Sequence, residues 1–194
     1  MKSFKERLEN EIIVFDGGTG TYLYDKGVFI NRCFEELNEA NPELVTEVHR
    51  DYINAGADVI ETNTFGANRY RLAAQGLESK VYDFNFKGAQ LAKSVAPKSV
   101  FVAGAIGPLG VPIEPFGKIS YDEAKDAFAE QVKGLLNGGV DIIVFETFSM
   151  IEEIVQGVRA VRELNVEIPI IAQVTINREG GLLSGETLER CHET

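Results

Sequence analysis

The sequence lacks several features that mark membrane and secreted proteins. No segment approaches the roughly 18 consecutive apolar residues of a membrane-spanning helix. The start, from Met1 to Leu8, is a short amphipathic lead-in without the apolar core of a signal peptide. Cysteine is scarce, because Cys33 and Cys191 are the only two, and they lie too far apart to suggest a disulfide framework. These absences predict a cytoplasmic protein in a reducing compartment.

Basic residues are also in short supply. The chain contains 19 lysine and arginine residues against 30 aspartate and glutamate residues, which gives a formal net charge of −11. Binding to the phosphates of nucleic acid, or to an anionic membrane surface, requires a surplus of basic side chains. The two signs are interspersed along the chain, which is typical of a solvated acidic surface. The composition therefore predicts no nucleic-acid partner and no membrane partner.

Five apolar runs rich in Val and Ile stand out in the chain. They are nearly continuous rather than alternating, as in parallel strands that are covered on both faces. The runs are residues 12–15, 59–60, 100–103, 142–145 and 170–172. With 194 residues, the chain is long enough for one large domain with a core around these strands.

Helical patterns separate the apolar runs. Capping signals open several of them, at Asn41-Pro42, Ser120 and Ser149. A further helix is predicted over about 80–96. Gly56 and Gly139 are expected to end helices in left-handed geometry just before a strand. The repeated β-α order predicts a parallel sheet with right-handed crossovers.

Both an open doubly wound sheet and a closed barrel have this order. Residues 16–21 read DGGTGT and lack the third glycine of a dinucleotide-binding turn. A polar or glycine-rich loop follows every predicted strand, and polar residues at the carboxyl ends of many strands are what a barrel active site needs. A complete barrel has eight strand–helix units in about 250 residues. We therefore expect an α/β fold, a parallel (β/α)8 TIM barrel that is truncated after about the fifth strand.

Two carboxylates directly follow predicted strands. Asp16 precedes Gly17 and Gly18, and Glu146 ends the fourth run. Asp16 is either a turn residue that caps its loop or a ligand-binding carboxylate beside open backbone amides. Glu146 either forms a salt bridge or binds a ligand, because carboxylates are rarely buried without a partner. If both face one cavity, they suit a primary ammonium group or a metal.

Three other side chains are weaker candidates. Asn63 follows the second run and has two equal interpretations, a hydrogen bond to a ligand or a tie that holds its own loop. His49 is expected to be a surface or helix-packing residue. Cys33 is expected to be a packed small residue rather than a reactive thiol, since no second Cys or His stands near it in sequence.

Several segments taken together resemble the homocysteine S-methyltransferase family. They occur in order through nearly all of the chain: FDGGTGT at 15–21, CFEELN at 33–38, AGADVIETNTFGAN at 55–68, Gly107-Pro108, and FETF at 145–148. The family includes the homocysteine-binding barrels of cobalamin-dependent methionine synthases and of bacterial fusions with a methylenetetrahydrofolate reductase. The resemblance identifies residues 1–194 as the N-terminal portion of such a barrel domain.

The resemblance implies methyl transfer to the sulfur of L-homocysteine, giving methionine. In the family, zinc held by three cysteines binds the substrate thiol and lowers its pKa. Methylcobalamin, S-methylmethionine or betaine supplies the methyl group, so the implied partners are homocysteine and a methyl donor or cobalamin-binding domain. The family's two carboxylates hold the ammonium group, and backbone amides after the first strand receive the carboxylate. The matching substrate-binding residues here are Asp16, Gly17, Gly18, Thr19, Asn63 and Glu146.

The sequence departs from the family at the metal. The family's zinc cysteines follow the sixth and the eighth strand, the latter in a Gly-Gly-Cys-Cys-Gly motif, and this chain has no Cys-Cys pair. We therefore assign no metal ligand and expect no stoichiometric zinc. By itself the chain is expected to be inactive, to need a C-terminal barrel half as its partner, and to self-associate through open sheet edges.

Two other functions remain open at this point. One is a non-catalytic half-barrel that binds an amino acid or a partner subunit. The other is an unrelated barrel lyase or isomerase with a phosphate substrate, which requires a phosphate loop late in the barrel. Zinc content, with and without the natural downstream sequence, distinguishes the methyltransferase from the non-catalytic half-barrel.

Overall fold

The computed structural model describes residues 3–29 and 32–193, and its strands form one parallel sheet in the order β1-β2-β3-β4. The strands are β1 (Val59–Glu61), β2 (Phe101–Ile106), β3 (Ile142–Phe148) and β4 (Ile170–Val174). The helices are α1 (Phe4–Leu8), α2 (Thr19–Asp25), α3 (Leu37–Ala40), α4 (Pro42–Ala55), α5 (Arg69–Ala73), α6 (Val81–Val95), α7 (Tyr121–Gly138), α8 (Ile151–Leu164) and α9 (Leu188–Glu193), with a 3-10 helix at Glu78–Lys80. Each strand lies beside the next one in sequence, as in a barrel, whereas a doubly wound sheet reverses its strand order.

The first predicted strand, residues 12–15, is wrong in extent. Phe15 forms a single parallel bridge with Val59 at the free side of β1. Two hydrogen bonds make this bridge, from the Asp16 N–H to the Val59 carbonyl (3.0 Å) and from the Val59 N–H to the Val14 carbonyl (3.2 Å). The segment therefore occupies the position of a first strand without forming a ladder.

Two aspartate side chains prevent the pairing from extending beyond the bridge, one on each side of it. Asp16 Oδ2 accepts the Glu61 N–H at 2.9 Å, the donor that would have paired with the next carbonyl of the edge segment. Asp58 Oδ2 accepts the Val14 N–H at 3.0 Å on the other side. Backbone donors that would extend the strand are thus satisfied by carboxylates, and the pairing stops.

The main core lies between the sheet and the helix layer of α6, α7 and α8. Three aromatic rings form its centre, Phe128 of α7 with Phe145 and Phe148 of β3, at centroid separations of 5.8–6.1 Å. All three are fully buried. Each ring of this size buries a large apolar area, and the contacts between the rings add to the stability of the core.

A smaller apolar cluster fills the other face of the sheet. Its strand residues include Phe101 and Val144, and α1 adds Phe4, whose ring meets Phe101 edge-on at 5.5 Å. Ser3 and Glu6 form a capping box that starts α1, while Met1 and Lys2 of the predicted lead-in lie outside the described residues. Helix α1 therefore covers the amino end of this face and leaves the carboxyl end for the cavity described below.

Most of the predicted helix signals are confirmed. The Asn41 side chain caps α4 through the Leu44 N–H, and Ser120 forms a complete capping box with Glu123 at α7. Left-handed glycines end these helices, Gly56 with φ 103° and Gly139 with φ 90°. The capping box predicted at Ser149 is wrong, because α8 starts after Met150 without a side-chain cap. No helix in the described part of the chain is long and apolar enough to cross a membrane.

Candidate functional site

A cavity of about 620 Å³ opens at the carboxyl ends of the strands. A barrel active site occupies this end, and the volume suits a small molecule. The six residues predicted from sequence all line it: Asp16, Gly17, Gly18, Thr19, Asn63 and Glu146. The structure therefore brings together side chains from the edge segment, β1 and β3 that lie up to 130 positions apart in the chain.

Asp16 sits where the edge segment leaves the sheet. Its carboxylate accepts the Glu61 N–H, which fixes the side chain against the end of β1. Burial is the main cause that raises the pKa of Asp16 to about 7; backbone hydrogen bonds oppose the rise, and the nearby charge of Glu146 contributes to it. A carboxyl group with this pKa changes charge easily near neutral pH, so its ionisation responds to what enters the cavity.

Strand alternation turns Glu146 into the cavity, on the same face of β3 as Ile142 and Val144, and an irregularity follows it. A regular strand alternates its faces, which would place Phe145 and Phe148 on opposite sides. Instead the register against β4 shifts between these two residues, and both rings pack in the main core. As a result, Thr147 lines the cavity beside Glu146. Thr147 adopts φ 66°, which is uncommon for a β-branched residue and is typical of functional sites.

A third carboxylate, Glu61, faces the same cavity, and no role was predicted for it from the sequence. Glu61 and Glu146 line the same cavity as neighbours, and each affects the protonation of the other. Burial raises the pKa of Glu61 to about 8, with the charges of Glu146 and Asp16 adding to the rise. Burial also raises the pKa of Glu146, and the hydrogen bond from Glu61 opposes that rise. The sequence signal that could have identified Glu61 is its position directly after an apolar run, as for Asp16 and Glu146.

The glycine-rich loop after Asp16 forms one wall of the cavity. At Gly17 a β-carbon would lie 3.1 Å from the Tyr52 hydroxyl, and at Gly20 a β-carbon would lie 3.2 Å from the Phe34 ring. Glycine therefore allows the backbone to approach these rings closely, and Gly18 starts α2 without a side-chain cap. The loop can offer uncapped backbone N–H groups to an anionic ligand group.

Asn63 is held mainly by its own loop. Its Nδ2 donates to the Phe34 carbonyl at 2.7 Å and to Asn38 Oδ1 at 3.1 Å. Asn38 in turn donates to the Asn63 carbonyl at 2.9 Å. Both N–H groups of the Asn63 amide are thus engaged, which favours the loop-holding interpretation, and a ligand could meet only its oxygen.

Two further carboxylates, the half-buried Glu35 and the buried Glu153, hold the loops around the cavity. Glu35 lines the cavity and accepts the Gly66 N–H at 2.6 Å. Glu153 of α8 accepts the Leu109 N–H at 2.8 Å, and burial raises its pKa. No sequence motif marked either residue. Their backbone contacts tie the loops that follow β1 and β2 to the rest of the fold.

Cysteine and histidine are not gathered at the cavity. The Cys33 Sγ hydrogen-bonds Glu35, and burial raises the pKa of this thiol to about 12, as for a packed rather than a reactive cysteine. Cys191 lies on α9 and lines a different, apolar groove. His49 is fully buried in α4, so helix packing is the correct one of its two predicted placements.

Fold and cavity together define a class, an α/β barrel-type protein with a small-molecule site at the carboxyl ends of its strands. The family model of homocysteine S-methyltransferases matches residues 13–194. The chain therefore belongs to the homocysteine S-methyltransferase family, and the resemblance drawn from its sequence motifs is confirmed.

The curated relatives include two mycobacterial methionine synthases. The one from Mycobacterium leprae is 32% identical over 199 residues, which cover 94% of this chain and 16% of the relative. The one from Mycobacterium tuberculosis is 32% identical over 197 residues, which cover 93% of this chain and 16% of the relative. The chain thus spans about one sixth of the length of these relatives.

Solved structures of the homocysteine methyltransferase MmuM from Escherichia coli share the fold. The oxidized form gives a TM-score of 0.84 at 24% identity, covering 98% of this chain and 71% of that one. The metallated form gives a TM-score of 0.83 at 24% identity, with 96% and 71% covered. These likenesses confirm the barrel-type fold class that the sequence predicts.

Proposed function

We propose that residues 1–194 form the amino-acid-binding portion of a homocysteine S-methyltransferase barrel. The observation that carries the proposal is the convergence of Asp16 and Glu146 beside the Gly17–Thr19 backbone in one cavity. Two carboxylates suit the ammonium group of an α-amino acid, and backbone N–H groups suit its carboxylate.

The charge of the cavity supports this substrate class over a phosphorylated one. Its described lining residues include the carboxylates of Asp16, Glu35, Glu61 and Glu146 and no Lys or Arg. A phosphate group would meet repulsion there, whereas a cationic ammonium gains charge-assisted hydrogen bonds. The barrel lyase or isomerase with a phosphate substrate is therefore disfavoured.

Zinc chemistry does not fit the residues that the structure describes. Over 3–29 and 32–193, no group of three or more His, Cys, Asp or Glu side chains could hold a metal ion. The Cys33 thiol has a pKa of about 12 and therefore resists the deprotonation that metal binding requires. We infer that residues outside 1–194 supply the family's zinc ligands and the methyl donor or cobalamin-binding domain. The isolated chain is then inactive. We also infer that the protein is cytoplasmic.

Calorimetric titration with L-homocysteine under reducing conditions tests the amino-acid site. Glu146→Gln removes one charge from the ammonium position, and we expect affinity to fall about tenfold or more, as for the loss of a charge-assisted contact. Glu130→Gln is the matched control, because Glu130 pairs with Arg69 outside the cavity. A homocysteine analogue without the amino group is expected not to bind. Equal binding of the analogue, or an unchanged affinity in Glu146→Gln, would contradict the proposal.

A non-catalytic amino-acid-binding half-barrel is the second candidate function. The observation that favours it is the lack of a metal-binding group among the described residues. A methyl-transfer assay on the protein with its natural adjoining sequence distinguishes the two functions. Methionine formation supports the methyltransferase, whereas homocysteine binding without methionine formation supports the binding module.

A further inference from the structure

Glu61 links the two carboxylates that the proposed function assigns to the ammonium group. Its backbone N–H donates to Asp16 Oδ2 at 2.9 Å, and its side chain lines the cavity as the hydrogen-bonding neighbour of Glu146. Two carboxylates in hydrogen-bond contact cannot both be ionised without strong repulsion, so a proton has to lie between them. Protonation of one member, which gives an acid–carboxylate pair, relieves this repulsion.

Strand β2, which lies between Glu61 and Glu146, leaves room for the two side chains to meet. β2 lies between β1, which carries Glu61, and β3, which carries Glu146. Ala105 is the residue of β2 that lines the cavity. Its methyl group leaves the space above the strand free, whereas a larger side chain would separate the two carboxyl groups.

No cation near this pair replaces the shared proton. The other titratable groups around the pair are Asp16 from the edge segment and Glu35 from the loop before α3, which line the same cavity. Tyr52 of α4 lies near Asp16, whose charge contributes to the raised pKa of Tyr52. The described residues that line the cavity include no Lys, Arg or His. A proton held by the pair would limit the negative charge of the cavity until a cationic ligand binds.

We propose that Glu61 is a positioning residue that donates a hydrogen bond from its carboxyl O–H to the Glu146 carboxylate in the empty site and releases that proton to solvent when a ligand ammonium enters. The identity of the ligand rests on the proposed function. Charge balances, because the incoming ammonium replaces the departing proton. Burial raises the pKa of Glu61 to about 8, so the proton is held at neutral pH. Ligand binding is then coupled to the release of roughly one proton from this pair.

Glu61→Gln is the informative variant, because its amide N–H can still donate to Glu146 but cannot give up a proton. Titration of L-homocysteine at pH 7 in two buffers of different ionisation enthalpy measures the protons released on binding. We expect Glu61→Gln to release about one proton fewer than the wild type, with affinity changed less than in Glu146→Gln. Any proton that Asp16 releases on ligand binding is expected to be released equally by the wild type and by Glu61→Gln. The Glu130→Gln control is expected to match the wild type, and an unchanged proton count in Glu61→Gln would overturn the proposal.

A measurement without ligand separates this inference from the proposed function. Infrared difference spectra of the ligand-free protein at pH 7 are expected to show a protonated carboxyl signal that is lost in Glu61→Gln and kept in Glu130→Gln. Absence of that signal from the wild type, or its survival in Glu61→Gln, would overturn the proton-holding role whether or not homocysteine binds. Failure of the wild type to bind homocysteine, with the signal present, would instead reject the proposed substrate and keep the role of Glu61.

Discussion

His49 has an unusual environment for a histidine. The imidazole is fully buried in α4, and neither ring nitrogen has a hydrogen-bond partner among the described residues. Burial lowers its pKa to about 4 from an ordinary value of 6.5, because the charged form cannot be solvated there. Since the unfolded chain binds the proton more readily, protonation of His49 costs no stability well above pH 6.5, and stability is lost as the pH falls from 6.5 to 4.

We predict that His49→Leu flattens this acid-induced loss. The wild type is expected to lose about 3 kcal/mol more than the variant between pH 6.5 and pH 4, as the pKa difference implies. Urea unfolding at a series of pH values measures the effect. His192→Leu on the exposed α9 is the control and is expected to keep the wild-type profile. Parallel profiles for wild type and His49→Leu would show that His49 is not titrating against burial.

Thr147 is expected to be strained. A threonine at φ 66° carries a steric cost of about 1–2 kcal/mol that glycine avoids, while glycine gives up about 0.5–1 kcal/mol of backbone entropy. We predict that Thr147→Gly leaves the free energy of unfolding equal or raises it by up to about 1 kcal/mol. Thr147→Val keeps the β-branched strain and is expected to give no gain. Denaturant unfolding that shows a clear loss in Thr147→Gly would mean that side-chain contacts outweigh strain.

Individual site residues were predictable to the extent that they end a strand. Asp16 and Glu146 could be found because each follows an apolar run, and the glycines after Asp16 marked an open backbone. Glu61 follows the same rule, but its importance depends on hydrogen-bond contact with Glu146, which lies 85 positions away in the sequence. The strained backbone of Thr147 had no sequence signal, because it arises from a register shift against β4.

The edge segment shows where sequence patterns fail at the level of an element. Residues 12–15 have the composition of a strand, and their position beside β1 is correct. Their ladder is limited to one bridge because Asp16 and Asp58 side chains accept backbone N–H groups. Apolar periodicity detects burial, but it does not detect competition between side-chain and backbone acceptors. The longer helices were predicted well because caps and glycine ends are local signals.

The two predicted capping boxes make a matched pair for mutagenesis. Ser120 Oγ accepts the Glu123 N–H at 3.2 Å, and Glu123 accepts the Ser120 N–H at 2.9 Å. We predict that Ser120→Ala lowers the free energy of unfolding by about 1 kcal/mol. Ser149→Ala, at the box that does not form, is expected to change it by less than about 0.5 kcal/mol. Equal effects in denaturant unfolding would show that sequence pattern rather than geometry governs these positions.

At the scale of the molecule, the sheet has an unpaired side. In the described residues β4 pairs only with β3, so half of its backbone donors and acceptors face outward. An apolar groove of about 440 Å³ lies next to it, lined by Ile154, Val155 and Val158 of α8 and by Ala172 and Val174 of β4. An edge strand beside exposed apolar surface is a template for pairing with another chain.

We therefore predict that the isolated 194-residue chain self-associates through β4. Burying apolar side chains of this kind yields roughly 1.5–3 kcal/mol for each one that becomes fully covered, so a few of them suffice to favour association. Size-exclusion chromatography with light scattering is expected to show dimers or larger species whose fraction rises with concentration. Ala172→Lys places a charge on the exposed edge and is expected to shift the population toward monomer, as edge lysines do in natural sheets. Ser94→Lys, on α6 away from this edge, is the control for added charge and is expected to leave association unchanged. A wild-type chain that stays a compact monomer at all concentrations, with cooperative unfolding, would show that β4 is protected without a partner.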